Sequence, residues 1–166
     1  MPEKNKIFET KIRQVATFSF KDIYRFTYEW LLEENYLVIE KKYSEKITPI
    51  GKEVEIEWEA KKKISDYFRF NMKFAWHIIG MNSIEVEQDG KKIKINKGDF
   101  ELKISGLLEK DYEGRWEANA FNKFLRDVYD KYVIPGRIDQ YEQKLFDEAN
   151  EVSSQIKSFL AVEQMR

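Results

Sequence analysis

Residues 53–60 read EVEIEWEA and residues 66–79 read DYFRFNMKFAWHII. In the first stretch Val54, Ile56, Trp58 and Ala60 alternate without exception with Glu53, Glu55, Glu57 and Glu59. In the second, Phe68, Phe70, Met72, Phe74, Trp76 and Ile78 hold one parity, while Tyr67, Arg69, Asn71, Lys73 and His77 hold the other. Successive side chains of a strand point to opposite faces, so a period of two makes each stretch a half-buried strand. The two strands specify a sheet with one aromatic and one charged face, and the aromatic face must be covered by another layer.

Working outward, Phe8, Ile12, Ala16 and Phe18 share a parity and predict a first strand from Lys6 to Phe18. Ser19 is a helix N-cap with Asp22 three residues on, and Ile23, Phe26, Thr27, Trp30 and Leu31 follow at helical spacing, which predicts a helix from Phe20 to Glu34. A strand from Tyr36 to Ile47 ends at the turn signal Pro49 to Gly51. Downstream, Ile84 and Val86 alternate with Glu85 and Glu87, Asp89-Gly90 supplies a two-residue turn, and Ile93 and Ile95 alternate with Lys92 and Lys94. The acidic strand is matched to the basic one, as cross-strand neighbours prefer. Asn96-Lys97-Gly98 reads as a further turn into a strand carrying Phe100, Leu102 and Ile104.

Beyond Gly114 the period becomes 3.6. Phe121, Phe124, Leu125, Val128 and Tyr132 mark a helix from Glu117 to Val133, which Pro135-Gly136 stops. Ile138, Tyr141, Leu145, Ala149, Val152, Ile156 and Phe159 then mark a long amphipathic C-terminal helix. The expected fold is α+β: one domain over residues 1–166, with an antiparallel sheet of about seven strands packed on the long C-terminal helix. A short helix follows the first strand, another precedes the final helix, and residues 1–5 are expected to be disordered.

Composition narrows the function classes. A chain of 166 residues fits one domain. Lysine and arginine (29) nearly cancel aspartate and glutamate (30), so the long-range positive field behind nonspecific nucleic-acid binding is missing. The run Lys61-Lys62-Lys63, set between Glu57, Glu59 and Asp66, reads as a solvated strand end. With no cysteine, disulfides, thiolate metal sites and a cysteine nucleophile are excluded, and a reducing compartment fits. The charged stretch Met1 to Lys6 lacks the apolar core of a signal peptide, and no stretch reaches the ~20 apolar residues of a transmembrane helix, so a cytoplasmic location is expected.

The candidate chemistry is thin. His77 is the one histidine, and it falls on the charged face with no catalytic companion at a telling spacing. Glu53, Glu55, Glu57 and Glu59 form a row, and a straight row does not converge on a cation, so charge pairing is the simpler reading. Glu109, Asp111, Glu113 and Glu117 join the last strand to a helix without a spacing that argues for a cleft. Phosphate-cradling glycine patterns are absent. No catalytic residue, cofactor or metal site is expected. The unusual feature is aromatic content, with 12 Phe, 9 Tyr and 4 Trp, concentrated on the nearly uncharged face of Trp58, Phe68, Phe70, Phe74 and Trp76, where it suits a core more than a stacking platform.

The order of strand, helix, six strands and a long terminal helix resembles the helix-grip fold of the START-like superfamily. In that fold a curved sheet wraps a C-terminal helix around an apolar cavity. This chain has one helix rather than two after the first strand, and an added helix before the last. The resemblance implies a non-enzymatic binding module for an apolar or amphipathic small molecule or lipid. Strand parity would line its pocket with Trp58, Phe68, Phe70, Met72, Phe74, Trp76, Leu102, Ala149 and Val152. Two other classes stay open. One is a protein-interaction or assembly subunit using the C-terminal helix; the other is a cyclase- or hydratase-like enzyme built on the inward-facing Gln14, Lys62 and Asp66. A monomer is favoured if the final helix only caps its own sheet.

Overall fold

The computed structural model describes residues 3–113, 120–133 and 135–164. The elements are β1 (Glu3–Phe18), α1 (Phe20–Glu33), β2 (Leu37–Thr48), β3 (Gly51–Lys63), β4 (Phe68–Gln88), β5 (Lys91–Lys110), α2 (Ala120–Val128), a π-helical turn (Tyr129–Val133) and α3 (Pro135–Gln164). The sheet is antiparallel with strand order β1-β5-β4-β3-β2, so the first strand closes against the last and the rest form a meander.

The alternation in residues 53–79 sets the register. Ile56 faces Trp76, Trp58 faces Phe74 and Ala60 faces Met72, while Phe74 and Trp76 continue across to Ile104 and Leu102. These rows form the inner face, and Glu55, Glu57 and Glu59 lie opposite His77, Ala75 and Lys73 on the outer one. The expected charge matching is realised in the β4–β5 hairpin, where Glu85 faces Lys94 and Glu87 faces Lys92.

Among the described residues five strands stand where about seven were expected, because two segments read as lying between strands, 80–83 and 96–98, are inside continuous ones. The segment from Ile79 to Asn82 is a bulge: Ile79 faces Asp99 and Asn82 faces Lys97, so β4 spends one residue more than β5, and Gly80 takes φ +64°. Asn96-Lys97-Gly98 is not a turn. Gly98 pairs with Ala16 of β1, and a Cβ there would come within 3.1 Å of Met81 Cα and 3.2 Å of the Ile79 carbonyl oxygen. The glycine thus serves a close backbone approach beside the bulge rather than a change of direction. An extra residue in a strand exchanges its faces. Past the bulge, Ile84 and Val86, which pair with Ile95 and Ile93, therefore lie on the outer side, where Ile84 lines one hollow with the exposed Val15 and Ile79.

At the termini of the predicted elements two further differences arise. Residues 3–5, expected to be disordered, belong to β1, with Glu3 opposite Lys110. The helix predicted from Glu117 is described from Ala120 onward, and residues 117–119 lie outside the described residues. α1 begins as the sequence requires, with the Ser19 hydroxyl accepting from the Asp22 amide at 3.3 Å.

Two helices share the aromatic face. α1 covers the tryptophan end, with the Tyr24 ring edge-on to Trp58 at 4.9 Å. α3 covers β1 and β5, where a Cβ on Gly106 would lie 3.7 Å from Ala149 Cβ and 3.6 Å from Leu145 Cγ. Small residues thus face each other and bring helix and sheet together. The helices meet where Phe26 stacks on Phe159 at 5.6 Å.

Candidate functional site

The nine residues expected to line a pocket are brought together in one interior. Trp58, Phe68, Phe70, Met72, Phe74, Trp76, Leu102, Ala149 and Val152 are each no more than 3% exposed and belong to a single core. Trp58 meets Trp76 at 5.3 Å and Trp76 meets Phe100 at 6.0 Å, both edge to face, the arrangement ring quadrupoles favour. One polar atom in this interior lacks a partner among the described residues: the indole Nε1 of Trp76. A hollow of about 370 Å³ opens between α1 and β2 beside Tyr24, Tyr28, Val38, Glu40 and Trp58. There Trp58 Nε1 and the Tyr24 hydroxyl both donate to Glu40 Oε2, at 3.1 and 2.5 Å. Burial first, and then the Glu40 carboxylate, push the Tyr24 phenol well above its ordinary range.

The three polar residues considered for catalysis are not brought together. Gln14 is exposed on β1, and Asp66 sits in the β3–β4 turn with its carboxylate 3.4 Å from Lys63. Lys62 alone turns inward, pairing with Glu148 of α3 and lying 4.7 Å over the Tyr36 ring. That contact ties the final helix to the sheet.

A second polar cluster sits on the outer face. Glu109 of β5 is fully buried there, accepting from Arg69 Nε at 2.5 Å and Asn71 Nδ2 at 3.0 Å, with Lys4 at 3.5 Å. The Arg69 guanidinium stacks 4.8 Å from the Tyr112 ring. Burial alone would raise the Glu109 carboxyl; the two hydrogen bonds and the charges of Arg69 and Lys4 outweigh it and hold the group below the usual carboxylate range.

The long C-terminal helix spends its stripe on its own sheet: Leu145, Ala149, Val152, Ile156 and Leu160 are fully buried. The helix before it does the reverse. On α2 and the turn after it, Phe121 is 67% exposed, Phe124 61% and Tyr132 70%, with Leu125 and Val128 also exposed. The buried side chain of α2 is Arg126, whose Nη1 lies 3.8 Å from Asp111 Oδ2. The next turn seats Tyr129 against the Tyr67 ring at 5.6 Å. α2 is therefore held to the domain by an arginine and a tyrosine, with its apolar stripe turned to solvent. The sequence displayed the stripe, but not which side of it would meet the protein.

One group of side chains capable of holding a metal ion is found among the described residues: Glu53 and Glu55 of β3 with His77 of β4. His77 Nε2 is 2.9 Å from Glu53 Oε1 and 3.8 Å from Glu55 Oε1. The glutamate row alone does not converge; the register that sets His77 opposite Glu55 supplies the convergence. No helix among the described residues is long and apolar enough to cross a membrane. Comparison of the chain with protein-family models, with curated proteins and with solved structures returned no match.

Proposed function

We propose that this protein is an assembly module that pairs with a second copy of itself through the apolar stripe of α2. The observation that carries this reading is the inverted placement of that helix, with Arg126 inward and Phe121, Phe124, Leu125, Val128 and Tyr132 outward. Buried aromatic side chains cover roughly 150–250 Å² each, so three that are about two-thirds exposed leave on the order of 400 Å² of apolar surface uncovered. That is the size at which a patch on a monomer is commonly functional. The stripe has the aromatic-rich, charge-free composition of an interface centre. In an antiparallel pair with its two-fold axis near Leu125, the same apolar patch of each copy lies on that of the other, as a two-fold interface requires. A membrane surface fits less well, since it asks for a polar face rich in lysine and arginine. The area removed from two copies is about 800 Å², below the ~1,200 Å² at which stable specific interfaces begin, so a weak, concentration-dependent dimer follows.

Sedimentation velocity across the micromolar range tests this. The mass rises from one chain toward two, and Phe124→Glu holds it at one chain with an unchanged circular dichroism spectrum. A single-chain mass at every concentration, or a dimer indifferent to Phe124→Glu, rejects the proposal.

A second reading, the apolar-ligand module, is supported by the Trp76 indole N–H, buried without an acceptor in the aromatic interior. A ligand combining an apolar body with one carbonyl or hydroxyl oxygen would satisfy it. Native mass spectrometry of gently purified protein, with dye displacement by fatty acids and isoprenoids, decides this reading. Absence of both a copurifying ligand and displacement below ~1 mM rejects it.

A further inference from the structure

We infer that Glu53, Glu55 and His77 form a binding site for a late first-row divalent cation, of which Zn²⁺ is the representative. The donors come from two adjacent strands whose register places Glu55 directly opposite His77, with Glu53 two residues along on the same face. All three donor atoms lie within 4.8 Å of one another, and the two distances to His77 Nε2 are 2.9 and 3.8 Å. Tetrahedral ligands at 2.0–2.1 Å from an ion stand about 3.3 Å apart, so modest side-chain adjustment without backbone movement closes the triangle. His77 Nε2 and Glu53 Oε1 lie at hydrogen-bond distance, and a cation takes the place of the proton between them.

The surroundings hold the ligands in place. Lys42 Nζ contacts Glu55 Oε2 at 2.5 Å, which leaves Oε1 turned toward His77. On the other side of His77, the facing Glu101 is engaged by Lys11 at 3.0 Å and stays out of the triangle. An imidazole with two carboxylates selects zinc, nickel or copper over magnesium and calcium, which prefer oxygen alone. The three side chains are only partly buried, so solvent water completes the coordination and the ion exchanges.

The chain has one histidine and no cysteine, which removes the usual competing ligands from a titration. Isothermal calorimetry of the full chain with Zn²⁺ in a non-chelating buffer should give one site with micromolar affinity and no response to Mg²⁺. His77→Ala and Glu53→Gln should each weaken it at least tenfold, the loss typical of a missing ligand or ligand support, while Glu57→Gln on the same face should leave it unchanged. Because these side chains are partly exposed, the variants keep the fold, checked by circular dichroism. Zn²⁺ should also raise the melting temperature of the wild type and not of His77→Ala. Absence of saturable binding below ~1 mM, or binding that survives either His77→Ala or Glu53→Gln, overturns the site.

Discussion

Arg126 reaches from the inward side of α2 to Asp111, with its Nη1 3.8 Å from Oδ2, and both side chains are almost completely buried. Asp111 itself sits at φ +50° just past β5, with its amide donating to the Tyr67 carbonyl at 2.8 Å. This buried charged pair thus links the end of the sheet to α2. Removing one partner of a buried pair costs more than the pair contributes, because a charge is left in the interior. Arg126→Ala should lower stability by about 3 kcal/mol in urea unfolding. A loss below ~1 kcal/mol would mean that α2 is held chiefly by Tyr129 and its neighbours.

The interior and the charged face should respond very differently to substitution. Trp76 is 1% exposed and in ring contact with Trp58 and Phe100, so Trp76→Ala should cost about 3–5 kcal/mol. Glu57, on the outer face and exposed, should tolerate Gln with a change within about 0.5 kcal/mol. Chemical denaturation of the two variants side by side checks both, and a silent Trp76→Ala would contradict the packing described for this face.

At Gly98 the expected cost comes from crowding. A Cβ would press on the backbone of Met81 and Ile79 at 3.1–3.3 Å, and backbone cannot rotate away as a side-chain tip can. Gly98→Ala should destabilise by roughly 1–3 kcal/mol, the range for overpacking. Gly90→Ala is the useful contrast. A Cβ there meets nothing within 4 Å, and only its φ of +77° opposes the change, so the penalty should be about 1 kcal/mol.

Acid should weaken the fold partly through Glu109. Its carboxyl lies below the usual range in the folded state, so its contribution is present above the unfolded value and is lost as pH falls through the lower folded value. Wild-type stability should therefore decline between neutral pH and the region below 4.5, the group's ordinary value. Glu109→Gln should start lower at neutral pH and decline less. Urea midpoints measured across that interval decide the matter: parallel slopes for the two proteins would remove Glu109 from the account.

Much of this architecture is legible in the sequence because alternation is a local property. The parity of Val54 to Ala60 and Phe68 to Ile78 fixes which side chains share a face whatever the sheet's final shape, and the residues expected inside are inside. The 3.6 period of Ile138 to Phe159 likewise fixes the buried stripe of α3. Other features depend on partners distant in sequence. Asn96-Lys97-Gly98 has turn composition, yet β1 and β4 pair on either side of it and hold it extended. The bulge at Gly80 reverses the face on which Ile84 and Val86 lie, which alternation alone cannot register. Glu53, Glu55 and His77 converge because β3 and β4 pair in one particular register, and α2 turns its apolar stripe outward because Asp111 and Tyr67 receive Arg126 and Tyr129. Sequence by itself determined the periods, and with them the faces of each element. Tertiary structure decided which face meets which, since pairing register and buried charge contacts join residues that no local pattern connects.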